Sequence, residues 1–284
     1  MNNRLQDPVA RLPALFVSHG GSWLTMRESD PANRWMRAAG EQLRQLNPAA
    51  IVMLSAHYEA ASVRVLSHPH PRTLHDHPAR DLYRLNYGAR GEPALARRIV
   101  EMLQAEDIAA TEDLTHGFDH GAWIPLTLMF PAADVPVVMV SLHRDLDPAT
   151  HFAIGKAIAG LRNEGTLIIG SGSITHNLRD FFDRYSHSPD ADFVPRFSHE
   201  FDHRVRATLA SSTGADAAHQ LAQLLTQPVG RQAHPRTEHF LPLFGILGSS
   251  GDTAAKQVHS GFQYGLSMAA YQFDSKPSKG DATP

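Results

Sequence analysis

Short apolar runs alternate with amphipathic stretches along most of the chain. Ala14–Ser18 (ALFVS) and Ile51–Ser55 (IVMLS) are apolar, too short for helices and followed by polar residues, which predicts buried strands. Between them, Asp30-Pro31 predicts a helix cap and first turn leading into a helix over Asn33–Leu46. Gly91-Glu92-Pro93 opens a second helix through Leu103, with Leu95, Ile99, Met102 and Leu103 on one face. Val135–Leu142 and Thr166–Ser171 predict two more strands, and a helix over His151–Arg162 separates them. That βαβ order implies a parallel pair. Phe193–Leu209, Ala217–Leu225 and an apolar stretch from Glu238 to Leu247 predict further helices, and Tyr264–Phe273 a closing strand. Asp274–Pro284 (DSKPSKGDATP) is polar and rich in Pro and Gly, which predicts a disordered tail. No repeat or linker interrupts residues 1–273, so the pattern predicts one α/β domain there.

Composition narrows the chemistry. The chain has 284 residues, a formal net charge of −3 and no Cys. A disulfide framework, a thiolate zinc finger, an iron–sulfur cluster and a Cys nucleophile are thereby excluded. No basic surplus invites a nucleic-acid backbone. No apolar run is long enough for a membrane span. Met1–Arg11 is polar and lacks the apolar centre of a secretory signal, so a cytoplasmic location is expected. The outlier is histidine, with 18 residues.

The positions of these histidines matter more than their number. His19 follows ALFVS directly, His57 follows IVMLS by one residue, and His176 follows TLIIGS after a short loop. In a mainly parallel sheet the carboxyl ends of such strands share one edge, where α/β proteins bind ligands. His239 opens the last apolar helix, and His120 lies between glycines in GFDHG. Singly, each is as readily an ordinary loop histidine. Together, imidazoles meeting at one edge suit a borderline metal such as Zn(II) or Fe(II). His75-Asp76, in the tract HPHPRTLHDH, is a candidate for lining such a site, and Arg80 for pairing with a substrate carboxylate. Trp23, Tyr58 and Trp123 are candidates to stack on an aromatic ligand, with core packing the alternative for Tyr58 and Trp123. The remaining histidines, His151 and His234 among them, are expected at the surface.

Six motifs occur in order: PALFVSHG, AIVMLSAHYE, TLHDH, HGFDHGAW, IIGSGSITHNL and TEHFLPLFGILG. Together they resemble the class III extradiol ring-cleavage dioxygenases of the LigB superfamily, in particular the DOPA 4,5-dioxygenase-like subgroup, from about Pro13 to Phe273. The resemblance implies a three-layer αβα fold with a mainly parallel or mixed central sheet, and an active site at the carboxyl ends of its strands. It implies a non-haem Fe(II) site, with Zn(II) able to take its place. His19, His57 and His239 match the metal positions. His176 matches a residue beside the metal that acts as acid–base and in this subgroup can also be a ligand. His120 matches a second catalytic histidine that hydrogen-bonds substrate or oxygen. His75, Tyr58 and Trp123 are the expected substrate contacts.

The implied reaction opens a DOPA-like catechol with O2 to a muconic semialdehyde. The partners are small molecules, with no nucleic acid or membrane and with homo-oligomer formation left open. Two loops depart from the subgroup: HGGSW stands where HGSP is usual, and His77-Pro78-Ala79-Arg80-Asp81 replaces a Phe/Gly-rich stretch. Both are expected beside the substrate, which leaves the particular catechol open. A zinc-dependent hydrolase and a non-catalytic Memo-like binding protein are the alternatives.

Overall fold

A computed structural model describes residues 11–21, 27–77, 80–187 and 193–274, without the side chains of 184–187. Trp23 and nearly all of the expected tail lie outside the described residues. Four strands form the parallel centre of an eight-stranded sheet: β1 (Ala14–Ser18), β2 (Ala50–Ala60), β5 (Val137–His143) and β6 (Thr166–Gly172), in the order β5-β2-β6-β1. β3 (Val63–Leu66) joins β5 antiparallel and carries β4 (Ala110–Asp113) outside it. At the other edge, β10 (Ala270–Phe273) runs antiparallel to β1, followed by β7 (Lys256–His259). The predicted parallel pairing of β5 with β6 is corrected in one respect. Both run the same way, but β2 is inserted between them.

Period-two alternation in the central strands splits the core into two layers. Val52, Leu54, Val138, Val140 and Ile168 face one side. They pack with α2 (Pro93–Ala105), α4 (Pro148–Ala157), α6 (Arg196–Ser211), α7 (Gly214–Thr226), α8 (Pro228–Ala233) and α9 (Leu241–Ser250). Ile51, Met53, Val137, Met139 and Ile169 face the other side, under α1 (Pro31–Gln45) and α3 (His120–Met129). The expected three-layer α/β architecture with a mixed, mostly parallel sheet is what the chain adopts. Asp30 caps α1 as predicted, accepting from the Ala32 and Asn33 amides. α5 (Leu178–His187) follows β6 on the surface.

The closing segment differs from the single strand predicted over Tyr264–Phe273. It is a tight hairpin, β8 (Phe262–Gln263) with β9 (Leu266–Ser267), ahead of β10. Its turn residues Tyr264 and Gly265 both have positive φ (51° and 80°), as two-residue hairpins favour. His151 and His234, expected at the surface, are buried. His151 Nδ1–H donates to the Asp147 carbonyl, and its Nε2 accepts from the His143 amide, so its polarity is consumed internally.

Arg162 is buried completely and fastens three distant segments. It donates to the carbonyls of Leu12 (2.7 Å), Ser249 (3.0 Å) and Phe273 (2.8 Å), tying the entry to β1, the end of α9 and the end of β10. Burial, with Arg11 nearby, lowers its guanidinium to about 9. Arg162→Leu strands those carbonyls, and a loss on the order of 2–4 kcal/mol is expected in urea unfolding. A loss under about 0.5 kcal/mol contradicts the fastening role.

Candidate active site

Register brings the site together before any side chain is considered. Ser18 of β1 pairs with Gly172 of β6, and Ser55 of β2 pairs with Ser171 of β6. The three strands therefore end side by side, with His19, His57 and the His176 loop at one edge. β2 has a further irregularity. From Leu54 to Glu59 it advances five residues while β5 advances only two, from Val140 to Leu142. Ser55–Tyr58 are skipped in the ladder with β5, although Ser55 still pairs with β6, and such bulges re-aim side chains.

His19 is held in one tautomer. Ser171 Oγ donates its hydrogen to the Gly121 carbonyl, so the contact with His19 Nδ1 at 3.0 Å requires His19 to donate. Nε2 of His19 keeps its lone pair and lies 3.3 Å from His57 Nε2. His239 sits in the turn before α9, where Glu238 Oε1 accepts from its Nδ1–H at 2.8 Å and again leaves Nε2 available. The His239 carbonyl accepts from the Ser173 amide at 2.9 Å, and a Cβ at position 172 would collide with it. Glycine there lets the turn sit directly on the end of β6. His19, His57 and His239 bring one ligand atom each within 4.8 Å of the others.

His176 stacks on His239, with ring centroids 3.3 Å apart and planes 12° from parallel, and its Nδ1 lies 3.6 Å from Glu238 Oε1. It stands beside the trio, in a second cluster with Glu238 and His239. His120 opens α3. Asp119 caps that helix through the Ala122 amide and accepts from Ser55 Oγ at 2.6 Å. Asp76 grips His120 twice, at the backbone amide (3.0 Å) and at Nδ1 (2.9 Å). The His120 ring lies 3.8 Å from that of His57.

Burial dominates the electrostatics. It lowers His57 to about 4 and His176 to about 3, helped by neighbouring imidazoles, and holds His19 and His239 well below the ordinary 6.5. These rings are neutral at pH 7, the form that binds metals. Burial also raises Glu238. At Asp76 burial acts upward too, but the His120 hydrogen bonds outweigh it and the carboxyl is lowered.

These residues line a cavity of about 410 Å³. His19, His57, His120, His176 and His239 all border it. The three expected substrate contacts do not. Tyr58 alternates away from His57; its hydroxyl donates to Asp113 at 2.8 Å and its ring stacks on His116 at 3.7 Å. Trp123 is buried under the sheet, with Nε1–H on the Leu74 carbonyl at 3.2 Å. His75 stacks on Tyr83 at 5.0 Å. Arg80 lies on a short surface turn outside the lining. Asp76 of the candidate pair and His77 of the departing loop do line the cavity, whereas the sequence reading missed Glu59 and Arg236 as wall residues. His77, one residue beyond the candidate pair, is buried with neither ring nitrogen hydrogen-bonded.

Residues 13–273 match the family model described as the catalytic LigB subunit of aromatic ring-opening dioxygenase. The chain belongs to the LigB family. It is thereby an aromatic ring-opening dioxygenase, and the hydrolytic and non-catalytic alternatives fall away. Relatives named 4,5-DOPA dioxygenase extradiol include one from Beta vulgaris, 34% identical over 92% of this chain and 96% of its own. A second, from Escherichia coli K12, is 34% identical over 84% of this chain and 85% of its own. The crystal structure of an uncharacterized protein from Escherichia coli K12 superimposes with a TM-score of 0.75 at 33% identity, covering 93% of this LigB chain and all (100%) of that one. No helix among the described residues is long and apolar enough to cross a membrane.

Two outcomes follow from the site's packing. Unfolded histidines take up protons below pH 6.5, whereas His57 resists until about 4 and His176 until about 3. Stability of the metal-free protein is therefore full above pH 6.5 and declines as pH falls through this window. Thermal melts should show a loss on the order of 2 kcal/mol from His57 alone between pH 7 and pH 5; a flat profile contradicts the neutral cluster. A Cβ at Gly121 would collide with Ser55 Oγ and lie 2.9 Å from His57 Cδ2. Gly121→Ala should thus weaken zinc binding about tenfold or more in a chelator competition, and unchanged affinity argues against this packing constraint.

Proposed function

We propose that this enzyme is a metal-dependent extradiol dioxygenase that opens the ring of a catechol with O2 to a muconic semialdehyde, its catalytic unit running through Phe273. The observation that carries this reading is the trio of His19, His57 and His239 at the cavity floor, neutral and with two of the three rings fixed by hydrogen bonds at Nδ1. The donor set fits a divalent ion. Nitrogens bound at about 2.0–2.1 Å and a tetrahedral angle lie about 3.3 Å apart, the separation of His19 and His57 Nε2. With His19 Nε2 as acceptor, the contact is a hydrogen bond donated by His57, and a bound cation would take the place of that proton. Fe(II) held there, with Zn(II) as the substitute that lacks redox chemistry, would supply charge favouring the deprotonated catechol and electron transfer between ring and oxygen.

The chain's own groups supply the rest. His176, kept unprotonated by burial, is the base that takes a proton from the entering catechol. Glu238 Oε1 stands 3.6 Å from its Nδ1, beyond hydrogen-bond reach, and the ring is oriented by its stack on His239. His120 has Nδ1–H committed to Asp76, so Nε2 is the atom that exchanges a proton with the substrate. That hydrogen bond fixes the His120 ring, and stacking on His239 fixes the His176 ring.

His19→Ala and His57→Ala should lose bound metal, read by elemental analysis of the folded proteins. His176→Ala and His120→Ala should keep the metal and lose about 10²–10⁴ in oxygen uptake with catechols. Near-normal uptake in either variant removes that residue from its role. Absence of any yellow ring-opened product across a catechol panel, with Fe(II) loaded anaerobically, overturns the proposed reaction.

A further inference from the structure

The cavity walls above the histidine floor differ sharply in character. One wall is apolar and largely aromatic. Leu178, Phe181 and Phe182 come from α5, and Tyr264, Leu266 and Met268 from the β8–β9 hairpin and the residue after it. Phe181 packs edge-on to Tyr264 (6.0 Å) and near Phe182 (5.0 Å), so the two elements make one surface. Leu178 and Phe182 are 41% and 54% exposed, among the few large apolar side chains left in water by the described chain. An apolar patch at the mouth of a cavity is the usual mark of a surface that a ligand covers.

Another part of the lining is charged, and the sign of its balance matters. Among the described lining residues Arg236 is the one Lys or Arg, against three carboxylates, Glu59, Asp76 and Glu238. Arg236 is already engaged. Both of its terminal nitrogens meet the Glu59 carboxylate, Nη1 to Oε1 at 2.7 Å, and Nη1 lies 3.4 Å from Glu238 Oε2. A fork–fork pair of this kind uses the face with which Arg binds a carboxylate ligand. Asp76 is likewise spent on His120. A substrate carboxylate entering here would meet acidic groups whose partners are taken, and it would have to displace Glu59 from Arg236.

We propose that the catechol taken by this enzyme carries an uncharged, apolar or aromatic ring substituent, seated against α5 and the β8–β9 hairpin, and that the Glu59–Arg236 pair excludes carboxylate-bearing catechols. The inference rests on the ring-cleavage reading and sets this chain apart from relatives named for an amino-acid catechol. Phe182 and Glu59 are then specificity-determining residues. Neither touches the reacting ring carbons.

The test is anaerobic calorimetry on the zinc-loaded protein with catechol, tert-butylcatechol, dihydrocaffeate and dopamine. The expected order has tert-butylcatechol first, at least tenfold tighter than dihydrocaffeate, with dopamine no tighter than catechol. Phe182→Ser should cut the tert-butyl advantage at least threefold. Glu59→Gln, which frees the Arg236 fork and removes one negative charge, should tighten dihydrocaffeate at least fivefold. Dihydrocaffeate or dopamine ranked first while catechol still binds overturns the inference and leaves the reaction class standing. So does a Glu59→Gln protein that gains nothing for the carboxylate. Failure of all four ligands, catechol included, sinks the ring-cleavage reading and the inference with it.

Discussion

Crowding of neutral imidazoles at one sheet edge is the constraint to which the rest of the site answers. Four rings with burial-depressed basicity stand within a few ångströms of one another. Each would be costly to protonate, and His19 and His57 turn their Nε2 atoms to each other across 3.3 Å. The surroundings are arranged to keep that state in place. Ser171 gives its one hydrogen to Gly121 and so can only accept from His19, and Glu238 likewise accepts from the neighbouring His239. A cation bound at this edge would replace the proton between His19 and His57 and offset part of the cost of burying these rings.

The glycines beside the site reflect the same crowding. Gly172 lets the His239 turn rest on β6, and Gly121 lets α3 start against Ser55 and His57. Helix α3 thus begins where the sheet ends, and its first residue, His120, becomes part of the cavity rather than of the helix surface. Stability and chemistry are linked here through close backbone approach, while the far side of the molecule is secured independently by Arg162.

Much of this was legible in the chain because it depends on local order. A strand followed by a histidine is readable, and a parallel sheet converts that repetition into proximity; His19, His57 and His176 needed nothing more. Helix α3 was not readable by periodicity, since it is buried all round and shows no polar face. β3 and the edge strand β4 are four residues each, too short to show a distinct pattern. Tyr58 was misplaced because an aromatic beside a site histidine invites a contact that alternation forbids. Arg236 and Glu59 lie 177 positions apart, and nothing local to either announces their pairing. The apolar wall joins a surface helix to a hairpin that reads as plain strand until its positive-φ turn is seen.

The bulge of β2 at Ser55–Tyr58 carries a consequence about length rather than chemistry. Successive residues of an extended segment point to opposite sides, so parity is counted from the last residue paired with β5 before the bulge, Leu54. Deleting or inserting a single position there would exchange His57 and Glu59 with Tyr58 while leaving every amino acid type available. The sheet could absorb the change, since Glu59 and Ala60 rejoin β5 whatever the excursion between. The active centre could not. Within this segment the number of residues is as much a part of the enzyme as their identity.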